Sequence, residues 1–172
     1  MPDSHDPSGD ESVTPEENAE DLRALETDLL NGLLAAAEDK RSDTETIEIA
    51  RTKDGESRVF FKFRIRVLEE DEYDALREKY TTYERSRRMG GLKIPQRTDT
   101  VKMRAEIIFE ATVPEDQERL WKNKAAWDRL GVMGPIDLID KVLLAGEKDA
   151  VIQRIERLSG YDLDLEETAK NS

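Results

Sequence analysis

The hydrophobic period changes twice along the chain. Leu22, Leu25, Leu29, Leu33 and Ala36 fall at steps of three and four, with Leu30 and Leu34 widening the stripe, which is the pattern of an amphipathic helix. Thr14-Pro15-Glu16-Glu17 marks its start, with Thr14 as N-cap, proline at the first helical position and Glu17 placed for a capping box. From Ile47 the period falls to two. Val59, Phe61, Phe63, Ile65 and Val67 alternate with Phe60, Lys62, Arg64 and Arg66, as in a strand with one buried face, and Ile47 with Ile49 makes a shorter strand before it. Asp54-Gly55 is the turn signal between the two. A plain two-residue loop sets Ile47 opposite Lys62 and puts a charge on the apolar face. The pattern therefore predicts a three-residue loop, Asp54-Gly55-Glu56, which pairs Ile47 with Phe63 and Ile49 with Phe61.

The helical period then returns. Glu69-Glu70-Asp71-Glu72 places acids where a helix dipole favours them, and Tyr73, Leu76, Tyr80 and Tyr83 form the stripe behind them. Gly90-Gly91 predicts the stop. Residues 100–113 fit two templates, because Val101, Met103, Ala105, Ile107, Phe109, Ala111 and Val113 alternate as in a strand. A strand of that length is about twice the usual, whereas Val101, Ala105, Ile108, Phe109 and Thr112 share one helical face, so helix is preferred, with Pro114 ending it. Beyond a polar connection holding Trp121 and Trp127, Gly131 and Gly134 bracket a turn and Pro135 opens a short helix to Leu144. Gly146 is read as a break. A last helix over 147–158 turns Val151, Ile152, Ile155 and Leu158 inward before a Gly160 cap. The expected fold class is α+β and mostly helical: an N-terminal β-hairpin packed against a small helical domain, with a disordered acidic leader and an amphipathic helix in front.

Charge sharpens this division. The 27 Lys and Arg against 40 Asp and Glu give 27 − 40 = −13. Residues 1–46 hold 14 acids and three bases, a net of −11, and the remaining 126 residues are nearly neutral at −2. Of the 39 Leu, Ile, Val and Phe residues, seven precede Ile47 and 32 lie from it onward, so only the second part can build a core. The expected organisation is a disordered acidic leader over 1–13, the amphipathic helix and linker over 14–45, a folded domain over 46–162 and an acidic tail over 163–172. One stretch opposes the overall sign. Residues 85–104 contain seven bases and one acid, a net of +6.

Little catalytic chemistry is available. The absence of cysteine excludes disulfides, thiolate catalysis and Cys-ligated metal, and the sole histidine, His5, falls in the leader, where nothing positions it. Met89-Gly90-Gly91-Leu92 lacks the Lys-Ser/Thr of a phosphate loop, the acids at 69–72 read as a helix start, and those at 162–167 lack the glycine and final glutamate of a calcium loop. No catalytic residue, metal or cofactor is expected. No window approaches the roughly 18 apolar residues of a membrane span, and the N-terminus lacks the basic and apolar regions of a secretory signal, so a cytoplasmic protein with no membrane association is expected. The basic patch has no interleaved aromatic side chain on which bases could stack. It reads as a solvated loop or as a dock for an acidic protein surface, including this chain's own leader, and not as a nucleic-acid site.

From Ile47 to Tyr161 the order of elements resembles the XkdN-like phage tail assembly chaperones. The resemblance is carried by Asp99-x-x-Lys102-x-x-Ala105-Glu106-Ile107-Ile108 with Val113-Pro114, then Gly131-Val132, Pro135, Leu138-Ile139 and Lys141-Val142-Leu143-Leu144-x-Gly146-Glu147, and finally Leu158-Ser159-Gly160-Tyr161. It implies a non-enzymatic protein of tail morphogenesis that binds the tape measure protein, keeps it soluble and helps tail tube subunits assemble around it. It also implies a protein of the host cytoplasm that is absent from the finished particle. The long acidic leader and the Leu-rich helix depart from the family pattern.

The candidate partner-binding residues are Leu22, Leu25, Leu29 and Leu33 on the helix and Arg87, Arg88, Lys93 and Arg97 in the basic patch. The expected partner is the tape measure protein, with the major tail tube protein and a second copy of the chain as further possibilities. An acidic DNA mimic, or an adaptor for a basic protein, is the alternative, although the acids of a mimic should be spread over a folded surface and these concentrate in a tail.

Overall fold

The computed structural model describes residues 15–161; the expected disordered leader and the acidic tail lie outside the described residues. The chain divides into two units, one ending at Lys40 and the other beginning at Arg41. The first is essentially one helix, α1 (Pro15–Ser42). Proline at its first position is where a missing N–H costs nothing, and its leucine stripe follows the spacing read above.

The second unit is a mixed α+β domain, mostly helical, with two small antiparallel sheets. It opens with a hairpin of β1 (Thr44–Lys53) and β2 (Glu56–Arg66), paired Ile47 to Phe63 and Ile49 to Phe61 as expected. The loop differs from the expected one. Lys53 pairs with Glu56, so the turn has two residues, and a bulge between Ile49 and Ala50 at Phe60 restores the apolar register. Asp54 and Gly55 both take positive φ, +54° and +79°, the conformation that matches the twist of a tight hairpin and that glycine adopts without steric cost. The bulge gives both requirements at once: the tightest turn, and Lys62 kept off the apolar face.

The hairpin's inner face, Ile47, Ile49, Phe63 and Ile65, packs on α3 (Thr100–Ala111) and α7 (Ala145–Leu158), and α6 (Pro135–Val142) packs on α3, so that Ala105, Ile108, Leu138, Ile139, Val151 and Ile155 join the same buried cluster. Each of the larger aliphatic side chains buried here contributes roughly 1.5–3 kcal/mol. Residues 100–113 are helical up to Ala111, as preferred, although Val101 is exposed rather than inward. Thr112 then bridges Ile65, and the Val113 amide donates to the Arg64 carbonyl at 3.0 Å, so the outer edge of β2 is partly covered.

Three other regions extend or correct the expectation. The polar connection between Pro114 and Gly131, for which no element was expected, is helical: α4 (Pro114–Asp116), a π-helical turn (Gln117–Trp121) and α5 (Lys124–Leu130). It delivers Trp121, wholly buried, against Phe61 and Phe63 at edge-on centroid distances of 5.8 and 5.3 Å. Gly146 does not break a helix. It lies in the first turn of α7, after α6 has ended at Val142, and the Glu147 carboxylate reaches back to the Leu144 amide at 2.8 Å.

The third correction bears on function. The helix predicted to run to Gly90 is α2 (Glu70–Tyr80), and a second antiparallel hairpin follows it, β3 (Thr81–Ser86) and β4 (Leu92–Thr98). Its loop is a short 3-10 turn, Arg87–Met89, closed by Gly90 and Gly91. The β-branched pair Thr81-Thr82 favours extended backbone over helix.

Candidate partner-binding surface

Leu22, Leu25, Leu29, Leu30, Leu33 and Leu34 are each between 55 % and 67 % exposed. A stripe of this length is unusual on the surface of a soluble protein, where large apolar side chains occur singly more often than in rows. The helix that carries it is acidic, with eight Asp and Glu against three Lys and Arg between residues 15 and 42.

The other predicted residues come together on the second hairpin. Arg87 and Arg88 lie in its turn, and Lys93 and Arg97 lie on β4, all exposed. Five of the seven bases of the patch therefore lie on an ordered two-stranded ribbon and not in a loop, while Lys102 and Arg104 lie on α3. Cross-strand pairing sets Arg85 opposite Lys93, Glu84 opposite Ile94 and Ser86 opposite Leu92, with a bulge between Thr82 and Tyr83. Leu92 and Met89 are 62 % and 57 % exposed, and no ribbon side chain is buried.

An isolated ribbon is marginal in water, and this one is held at its base. The Asp99 amide donates to the Tyr80 carbonyl at 2.9 Å, and the Thr81 and Thr98 hydroxyls meet at 3.0 Å. Asp99 also caps α3 by accepting from the Lys102 amide at 3.2 Å. Beneath them the buried Glu106 carboxylate of α3 accepts from Lys79 Nζ at 2.6 Å and from the Tyr80 hydroxyl. Burial, together with the hydrogen bond to Glu106, raises the Tyr80 phenol above its ordinary value. Tyr83 ties the ribbon to α2 by donating to Glu78 at 2.6 Å, and that bond raises its phenol as well.

Sequence reasoning missed Tyr83, Leu92, Ile94 and Glu106 as parts of this surface and its anchor. A signal was present: two runs carrying β-branched and aromatic residues, separated by a turn ending in Gly-Gly, are a hairpin pattern. A shallow groove also runs between β1 and α7, lined by Ile47, Ile49, Ala150 and Val151. Its charges are matched internally, since Arg51 pairs with Glu147 at 2.7 Å and Arg154 pairs with Glu45. Among the described residues no helix is long and apolar enough to cross a membrane, and no group of three or more His, Asp and Glu could hold a metal ion.

The leucine stripe lies on the first unit and the basic ribbon on the second, and exposed apolar and charged patches of this kind are commonly surfaces for other proteins. The family model of the phage XkdN-like tail assembly chaperones matches residues 30–171, and the chain belongs to that family. The match includes the whole ribbon and Leu33, and it begins after Leu22, Leu25 and Leu29. No curated protein and no solved structure matches the chain.

Proposed function

We propose that this tail assembly chaperone acts by stoichiometric binding of the tape measure protein, holding it soluble in the host cytoplasm until tail tube subunits assemble around it. It then leaves, and is absent from the finished particle. The observation that carries this reading is the exposed leucine stripe of α1 on an acidic helix. A long helical client with apolar stripes aggregates through those stripes. A helix that offers leucines on one face and carboxylates on the others covers the client's apolar surface and replaces it with charge. No bond is made or broken in such a role, so the protein needs neither catalytic residues nor a cofactor.

Co-expression tests it. Soluble tape measure protein should rise in proportion to the amount of this chain, and the two should elute together on size exclusion. Rescue of a large excess of client by trace amounts, with no complex, would refute stoichiometric holding.

A further inference from the structure

We propose that the β3–β4 ribbon is a docking arm for an acidic, apolar-striped segment of a partner protein. Residues 81–98 carry five bases and one acid, 5 − 1 = +4, in a chain whose net charge is −13. Among the described residues, none of Arg85, Arg87, Arg88, Lys93 and Arg97 has an ion-pair or side-chain hydrogen-bond partner. Arg85 stands directly opposite Lys93, a like-charge arrangement that weakens a hairpin. A partner carboxylate placed between them turns that repulsion into two attractions.

Apolar side chains select the kind of acid. Leu92 and Ile94 lie two apart on β4 and share the face of the ribbon opposite to the Arg85–Lys93 pair, while Arg87, Arg88 and Met89 form the turn at the end of both faces. A segment laid on the apolar face and across the turn meets Arg87 and Arg88 with its carboxylates and covers Leu92, Ile94 and Met89 with its apolar stripe, whereas a segment with carboxylates alone leaves these three in water. Nucleic acid fits less well, because the face with Leu92 and Ile94 has no aromatic ring for a base to stack on: the ribbon's one ring, Tyr83, lies on the other face with its hydroxyl bound to Glu78. Lysine and proline on an edge strand also discourage stray strand pairing, and Lys93 and Pro95 serve that end. Protection of an edge is satisfied by either sign of charge and does not require exposed leucine and isoleucine. The anchor at Glu106, Tyr80 and Asp99 supplies what a docking arm needs, a fixed base for a pair of strands that contributes nothing to the core. This inference rests on the ribbon alone and does not depend on which protein the chaperone holds.

Fluorescence anisotropy with the full chain tests it. The probes are a fluorescein-labelled Glu/Leu amphipathic peptide, a Gln/Leu peptide of the same pattern and a single-stranded DNA oligonucleotide. The Glu/Leu peptide should bind best, and most of its affinity should disappear near ~0.5 M salt, where the Debye length is only a few ångströms. Arg87→Glu with Arg88→Glu and Lys93→Glu should weaken it at least ~tenfold, and Leu92→Ser with Ile94→Ser about threefold. Reversing Lys124, Arg129 and Lys141 to glutamate, outside the ribbon, should change it less than ~twofold. Should the ribbon reversals alter the melting curve, Arg87→Gln with Arg88→Gln replaces them. The proposal is overturned by no binding of the Glu/Leu peptide, by equal binding of the Gln/Leu peptide, by tighter binding of the oligonucleotide, or by equal losses from the two sets of reversals.

Discussion

The indole N–H of Trp121 donates to the Thr112 hydroxyl at 3.0 Å, and both side chains are wholly buried. Thr112 in turn donates to the Ile108 carbonyl at 2.6 Å. The threonine thus links the end of α3 to the side chain that fills the hairpin's apolar face. Thr112→Val keeps the shape and leaves the indole N–H without a partner, which should cost about 1–3 kcal/mol. Urea unfolding followed by Trp fluorescence measures this, and an unchanged midpoint would mean the bond contributes nothing net.

Arg66 grips Glu72 through two hydrogen bonds of 3.0 and 2.7 Å, while the same carboxylate accepts from the Glu69 amide at 2.8 Å and caps α2. The Arg66 bond is the largest influence and outweighs partial burial, so the Glu72 carboxyl lies below its usual range. A carboxylate with a depressed folded value adds stability that is fully present above its unfolded value, about 4.3, and is lost as pH falls through the folded one. Glu72→Gln should therefore cost about 1 kcal/mol at neutral pH, with the difference from wild type shrinking as the pH falls below about 4.3. Melting temperatures across that range provide the check. A difference that does not vary with pH would assign the effect to packing.

The Asp54-Gly55 turn makes a separate prediction. Gly55 has φ of +79° with open space around its Cβ position, so Gly55→Ala strains the backbone without a clash. About 1 kcal/mol of stability should be lost in chemical denaturation. Pairing of Ile47 with Phe63 should survive in amide exchange, because the bulge at Phe60 and the apolar face hold the register.

The leucine stripe should matter for binding and little for folding. Leu25→Asp with Leu29→Asp should weaken client association at least ~tenfold while moving the cooperative melting transition by less than about 0.5 kcal/mol, as for ordinary surface changes. A large stability loss would make the stripe part of a core, and unchanged binding would remove it from the client surface.

Several elements were legible because local pattern and tertiary demand agree. The alternation from Val59 to Val67 identified β2 and its buried face, and Lys62 set against Ile47 gave the pairing of Ile47 with Phe63, although not the two-residue turn and distant bulge that produce it. Helix for residues 100–113 followed from length and propensity, and Pro135 and Gly160 marked their helix boundaries. Of the candidate surface, the leucines and the four basic residues could be named from spacing and charge. Their presentation on a ribbon was masked, since Tyr73, Leu76, Tyr80 and Tyr83 continue one helical stripe past the point where the helix stops and hide the hairpin pattern that begins at Thr81.

By itself the sequence determined where charge and apolar area lie, and hence that the core is built after Ile47, that α1 displays leucines and that the basic residues cluster near Gly90-Gly91. Those properties are sums over neighbours along the chain. Only the tertiary structure decided that α2 ends at Tyr80, where Glu106 takes the phenol and Asp99 closes the base of the ribbon. It also decided that the hairpin meets its register through a bulge at Phe60 and that Trp121 sits at the core's centre. Each of these depends on partners between 9 and 26 residues away or on a pairing across strands, and local periodicity carries no information about which distant groups will satisfy a buried phenol, an indole N–H or an apolar face.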